Sequence, residues 1–274
     1  MLPAIYRINI NKLIRVFLVL ALLSVISGCV SHIKELREAQ NHFNSAAMLE
    51  NQLKTDPLSG DALVISAQAN ASYHLSSKIL ANLIDEKEQK LRKDNLLGTA
   101  YTLKALAQWR IGQYDDAINT VGMAKSDKEI KLFPRDRALM NALSGLIKND
   151  QAHGHMAAKD YDYDGIKRLL LSSIEDINSQ IRGTDSLGLY LVIARLSVLK
   201  NWADLRGTPK AFTKDKIIPS DFDKGVEIKQ WCVYAIPAWN EFRDALNNVQ
   251  PDRADSISGF WGKRLGMPEA CPNN

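Results

Sequence analysis

The sequence predicts an all-α protein in which helical pairs stack from about residue 31 to 205 and a cap of shorter helices and loops closes the C-terminal end. Three observations lead there. From Ser31 to about Ile147 the chain consists largely of Ala, Leu, Lys, Glu and Gln, with few turn residues, a composition of helix formers. Apolar residues recur in this stretch at steps near 3.6, the spacing that places them on one face of a helix. No run alternates with the period of two that a half-buried strand requires.

The elements follow in order. Ile33, Leu36, Phe43, Ala47 and Leu53 mark a first helix, closed by Thr55, Asp56 and Pro57. A second opens at Asp61 and carries Leu63, Ile65, Ala69, Tyr73, Ile79 and Leu83 on one face, with Asp85 to Asp94 as a charged, solvated end. Two further helices, from Leu97 to Arg110 and from Tyr114 to Lys125, pair about Gly112. Pro134 stands where a helix start tolerates a missing backbone donor, and that helix runs to about Lys148. Beyond a connecting segment from Asn149 to Asp164, helices are expected from Gly165 to Arg182 and from Leu187 to Asn201. Pro209, Pro219, Pro237 and Pro251 then divide residues 206–274 into short pieces.

The N-terminal segment has a different character. Arg7, Lys12 and Arg15 give it positive charge with no acidic residue, and Val16 to Ile26 is apolar over 11 residues apart from Ser24. A lasting membrane span needs ~20 apolar residues, so this run predicts an export signal. Ile26, Ser27, Gly28 and Cys29 follow, and this tetrad resembles the lipobox of bacterial lipoproteins. The resemblance implies removal of residues 1–28 and lipid on the thiol of Cys29. Val30, where the inner-membrane sorting rule has Asp, implies delivery to the outer membrane; it does not decide the face, and the domain is expected on the periplasmic one. Two or three acyl chains hold such a protein effectively permanently.

Removing residues 1–28 from the 274 leaves 246, and takes three of 35 basic residues and none of 31 acidic ones, a net charge of 32 − 31 = +1. A near-neutral domain offers no electrostatic footprint for nucleic acid. Once Cys29 is acylated, Cys232 and Cys271 remain as an even pair in an oxidising compartment, where they form either a disulfide or, at Cys232, a buried thiol.

One helical pair carries a further resemblance. Its first helix has Ala105 and Ala107, its turn has Gly112 and Tyr114, and its partner helix has Ala117 and Ala124. Together these residues resemble a tetratricopeptide repeat, in which a glycine and an aromatic mark the turn and alanines let the helices approach. Lys104 and Gln108 depart from that pattern, and Trp109 supplies bulk in their place. Looser echoes lie at 163–173 and 189–205, but Tyr114, Tyr163 and Trp202 are 49 and 39 residues apart, so the resemblance implies an irregular, tetratricopeptide-like solenoid over 29–205. Such stacks curve into a concave surface where protein or peptide partners bind.

Local chemistry is sparse. Asp160, Asp162, Asp164 and Gly165 match the first half of a calcium loop, but Leu171 stands where the bidentate carboxylate belongs, and Asp164 reads instead as a helix N-cap. His153 and His155 lack the remaining spacing of a zinc site and read as part of a polar loop. There is no Gly-x-Ser-x-Gly, His-Glu-x-x-His or phosphate-cradling loop. The aromatics Trp231, Tyr234, Trp239, Phe242, Phe260 and Trp261 are expected to pack the cap. No metal or cofactor is expected. The sequence therefore favours a lipid-anchored, non-catalytic adaptor for protein or peptide partners, with a small-ligand-binding lipoprotein serving a solute transporter as the alternative. An enclosed apolar pocket favours the small-ligand reading, and an open groove with exposed aromatics favours the adaptor.

Overall fold

The computed structural model describes residues 31–50, 52–53, 61–158, 162–181, 186–207, 224–267 and 271. Cys29 and the segment before it, the expected helix stop at Thr55 to Pro57, Asp160, Pro209 and Pro219 lie outside these residues. Among the described residues every regular element is a helix and no strand occurs. No helix among them is long and apolar enough to cross a membrane. The chain divides into two compact units, Met1–Lys131 and Leu132–Asn274. The boundary expected near 205 from the sequence falls inside the second.

In the first unit, α1 (31–50) runs antiparallel to α2 (Ala62–Lys93). The direction is fixed by contacts that step back along α2 as α1 advances: Ser76 Oγ donates to the Ala39 carbonyl at 2.8 Å, the Phe43 and Tyr73 rings meet edge to face at 5.2 Å, and Ala46 packs with Ala69. The end of α2 is more than a solvated tail. Lys87 leaves helical geometry (φ −133°, ψ 22°), and past this bend Leu91 is fully buried with Leu36, Leu80, Leu97 and Ala100. Leu63, expected on the inner face, is 87% exposed.

Asn95 (φ 58°) ends α2. Its N–H donates to the Arg92 carbonyl and that of Leu96 to Leu91, so a left-handed residue satisfies carbonyls that the helix end leaves open. Gly112 (φ 78°) ends α3 (Leu97–Arg110) the same way, with Gln113 N–H on the Gln108 carbonyl. The three residues between α3 and α4 (Tyr114–Ser126) make the two a hairpin. Ala105, Ala117 and Ala124 are buried at its seam and Tyr114 is half-buried. Gln108 is buried there too, accepting from Thr120 Oγ1 at 2.7 Å.

The second unit contains α5 (Pro134–Ala158), α6 (Tyr163–Asn178), α7 (Ser186–Gly207), α8 (Lys224–Val249) and α9 (Ala254–Leu265), with a 3-10 turn at Pro251–Arg253. Pro134 opens α5, but α5 continues ten residues beyond Lys148, so His153 and His155 sit exposed on its end rather than in a loop. Asp162, not Asp164, caps α6 by accepting from the Gly165 N–H at 3.0 Å. α5 and α6 come into close contact at Gly145, whose carbonyl accepts from Ser173 Oγ at 2.6 Å. α7 is apolar on most sides and packs against α5, α6, α8 and α9, burying Leu191, Leu196, Leu199 and Trp202.

The expected cap of short helices and loops is corrected by α8, which is 26 residues long and passes through Pro237. The proline removes one helical hydrogen bond and frees the carbonyl of Val233. Pro237 is exposed and Val233 is 67% exposed, so water can reach that carbonyl. Trp231, Ala235, Ala238, Phe242 and Leu246 meanwhile bury a continuous stripe across the site. Pro251 does begin a new element. Cys232 and Cys271 are joined by a disulfide, with Cα atoms 5.9 Å apart.

Candidate binding groove

A concavity lies among the described residues of the second unit, where the start of α5, the end of α6 and the start of α7 meet. It has a volume of about 750 Å³, within the ~300–1,000 Å³ usual for ligand pockets. Leu132 and Phe133 precede α5, and Pro134 fixes how the chain enters the helix, so these three form one edge. Ala138 sits one turn beyond Pro134, and Leu187 and Leu191, one turn apart on α7, add apolar lining. Asn141 Nδ2 donates to Gln180 Oε1 at 3.0 Å, tying α5 to the end of α6.

Arg135 and Arg137 contribute to its lining and are exposed, and among the described lining residues there is no carboxylate. Phe133 is 40% exposed at the edge. The combination is an apolar surface flanked by fixed positive charge, suited to holding a segment that carries an apolar and an acidic group side by side.

None of the candidate site residues named from the sequence is among the described residues lining this groove. Ala105, Gly112, Tyr114, Ala117 and Ala124 belong to the hairpin of the first unit. The C-terminal aromatics are mostly packing: Trp231 and Phe242 are fully buried, Trp231 Nε1 donates to the Leu199 carbonyl at 3.0 Å, and Trp239 stacks on Phe242. Phe260 is half exposed. Among the described residues no group of three His, Cys, Asp or Glu side chains is placed to hold a metal ion. The groove escaped sequence reasoning because its parts lie at 132–141, 180 and 187–191, and each stretch reads as ordinary helix text. Its one local signal is Phe133 and Pro134 followed by arginines on both sides of Asp136.

No protein-family model, curated protein or solved structure matches this chain.

Proposed function

We propose that this chain is a lipid-anchored, non-catalytic adaptor of the bacterial cell envelope that seats a protein or peptide segment in the groove of its second unit. The carrying observation is the exposed Phe133 beside Arg135 and Arg137, over Ala138, Leu187 and Leu191, with no acidic group among the described lining residues. The lipobox-like tetrad ending at Cys29 supports the anchor, and Val30 supports the outer membrane. The α3–α4 hairpin belongs to the same reading as a tetratricopeptide-like unit, supported by the left-handed Gly112 and the buried alanines.

A photo-crosslinking amino acid at position 133 in cells tests the groove. A discrete protein adduct is expected, and Arg135→Glu with Arg137→Glu should remove most of it by reversing the charge. The groove volume also suits a small ligand for a transporter. Absence of any protein adduct, with a small molecule retained in native mass spectrometry and released by Leu191→Trp, would favour that alternative. For the anchor, Cys29→Ser should block uptake of labelled fatty acid and leave residues 1–28 uncut. Normal cleavage in that variant would replace the lipoprotein reading with an ordinary secretory signal.

A further inference from the structure

We infer that the end of the first unit formed by the first turn of α1, the bent end of α2 and the turn at 127–129 lies against the membrane, with Lys34, Lys93 and Lys128 at the phospholipid headgroups. The inference rests on the proposed acylation of Cys29 and adds which face that anchor turns to the bilayer. Cys29 and Ser31 are two residues apart, so their Cα atoms are separated by at most about 7 Å. The lipid-bearing residue must sit at the headgroup level, and the start of α1 is held within that reach of it.

The start of α1 is not a swinging linker. Lys87 Nζ donates to Ser31 Oγ at 3.1 Å and to Glu35 Oε1 at 2.5 Å. His32 is 3% exposed and pairs through Nε2 with Asp94 Oδ2 at 2.7 Å. The bend at Lys87 makes the His32 contact possible by folding residues 88–94 over the first turn of α1. Fixing Ser31 therefore fixes the end of α2 as well. Arg92 then ties in the 127–129 turn, with its guanidinium 2.7 Å from Asp127 and 3.4 Å from Glu129.

These contacts also arrange the charges of the surface. Glu35 faces Lys87, Asp94 faces the His32 imidazole, and Glu88, Asp127 and Glu129 share the one guanidinium of Arg92. Lys34, Lys93 and Lys128 are exposed and make no ion pair among the described residues. Asp85 and Glu86 lie before the bend. These three lysines can each meet a lipid phosphate, an attraction that acts over a distance no longer than a Debye length. Ile33, 40% exposed on the first turn, is placed to enter the headgroup boundary.

The test uses purified full-length protein, its Cys29 acylation checked by intact mass, reconstituted in vesicles containing phosphatidylglycerol. Lysine acetylation rates are read by mass spectrometry and each is divided by its rate in the denatured chain. Lys78 is the internal reference, since it is exposed and lies 15 residues, about 20 Å, back along α2 from Lys93. Lys34, Lys93 and Lys128 are expected to react several-fold more slowly relative to Lys78. In acylated protein, equal protection at all four lysines, or stronger protection at Lys78, would overturn the face assignment while leaving the anchor intact. Absence of lipid mass on Cys29 would overturn both.

Discussion

Arg92 shows what a single side chain does in the first unit. It hydrogen-bonds Glu88 one turn earlier on its own helix at 2.6 Å and Asp127, 35 residues on, at 2.7 Å. That bond, helped by the Glu129 N–H, holds the Asp127 carboxyl below its ordinary 3.8, and the guanidinium is correspondingly harder to deprotonate. A depressed carboxyl contributes stability that is fully present above its unfolded value and is lost as pH falls through the folded one. The stability difference between wild type and Asp127→Asn, measured by urea unfolding across pH, should therefore be flat from neutral pH to about 5 and shrink only in acid. A difference that grows toward acid would contradict this role. Glu88 with Arg92 is legible in the sequence as an i,i+4 pair; Asp127 is not, because nothing local marks which distant carboxylate arrives. Gln108 teaches the same lesson. It stands out in the sequence only as a departure from the repeat pattern, yet its buried amide is satisfied by Thr120, a partner visible only once the hairpin closes.

At the level of elements, glycines with the same helical text play opposite parts. A Cβ on Gly145 would lie 2.8 Å from the Ser173 carbonyl oxygen and 2.9 Å from Ile177 Cγ1, whereas one on Gly122 in α4 would meet nothing within 4 Å. Gly145→Ala should thus lose ~1–3 kcal/mol to overpacking, more than the ~0.5–1 kcal/mol that alanine returns in helix propensity. Gly122→Ala should keep that gain. Thermal unfolding of the two variants should move in opposite directions, and equal shifts would sink the close-packing account of α5 and α6. Helix starts and stops were legible where backbone chemistry is local: Pro134, Gly112 and the α3–α4 pair all read correctly from sequence. Pro237 did not, because a proline stops a helix only if the freed carbonyl is left without solvent and no stripe of buried residues carries the chain across. Both conditions depend on which face of α8 is turned outward.

For the whole chain, helical content was legible in composition and period, but the partition into units was not. From its apolar text α7 reads as the last helix of a stack that began at residue 31. In the structure it is the centre of a unit that begins at Leu132, enclosed by helices on either side of it in sequence. A helix apolar on most of its surface announces burial without saying by what. The groove has the same difficulty, since it exists only when three separated helix ends converge.

Arg195 on α7 gives this arrangement an order in time. Its side chain is 6% exposed and its guanidinium is bonded to Asn178, 17 residues earlier, and to Glu241, 46 residues later, at 2.7 and 2.6 Å. Glu241 reaches this guanidinium from α8, so the packing around Arg195 is complete only when the chain has been delivered through residue 241. The first unit waits for nothing beyond Lys131, and when a chain emerges amino end first, early units fold first. A chain ending at Asn240 should give a protease-resistant core covering residues 31–131 and leave the rest susceptible, whereas equal resistance of both parts would rule out this sequence of events. The second unit, with its groove, is thus the last part of the molecule to come into being, and nothing can enter that groove until nearly the entire chain has arrived.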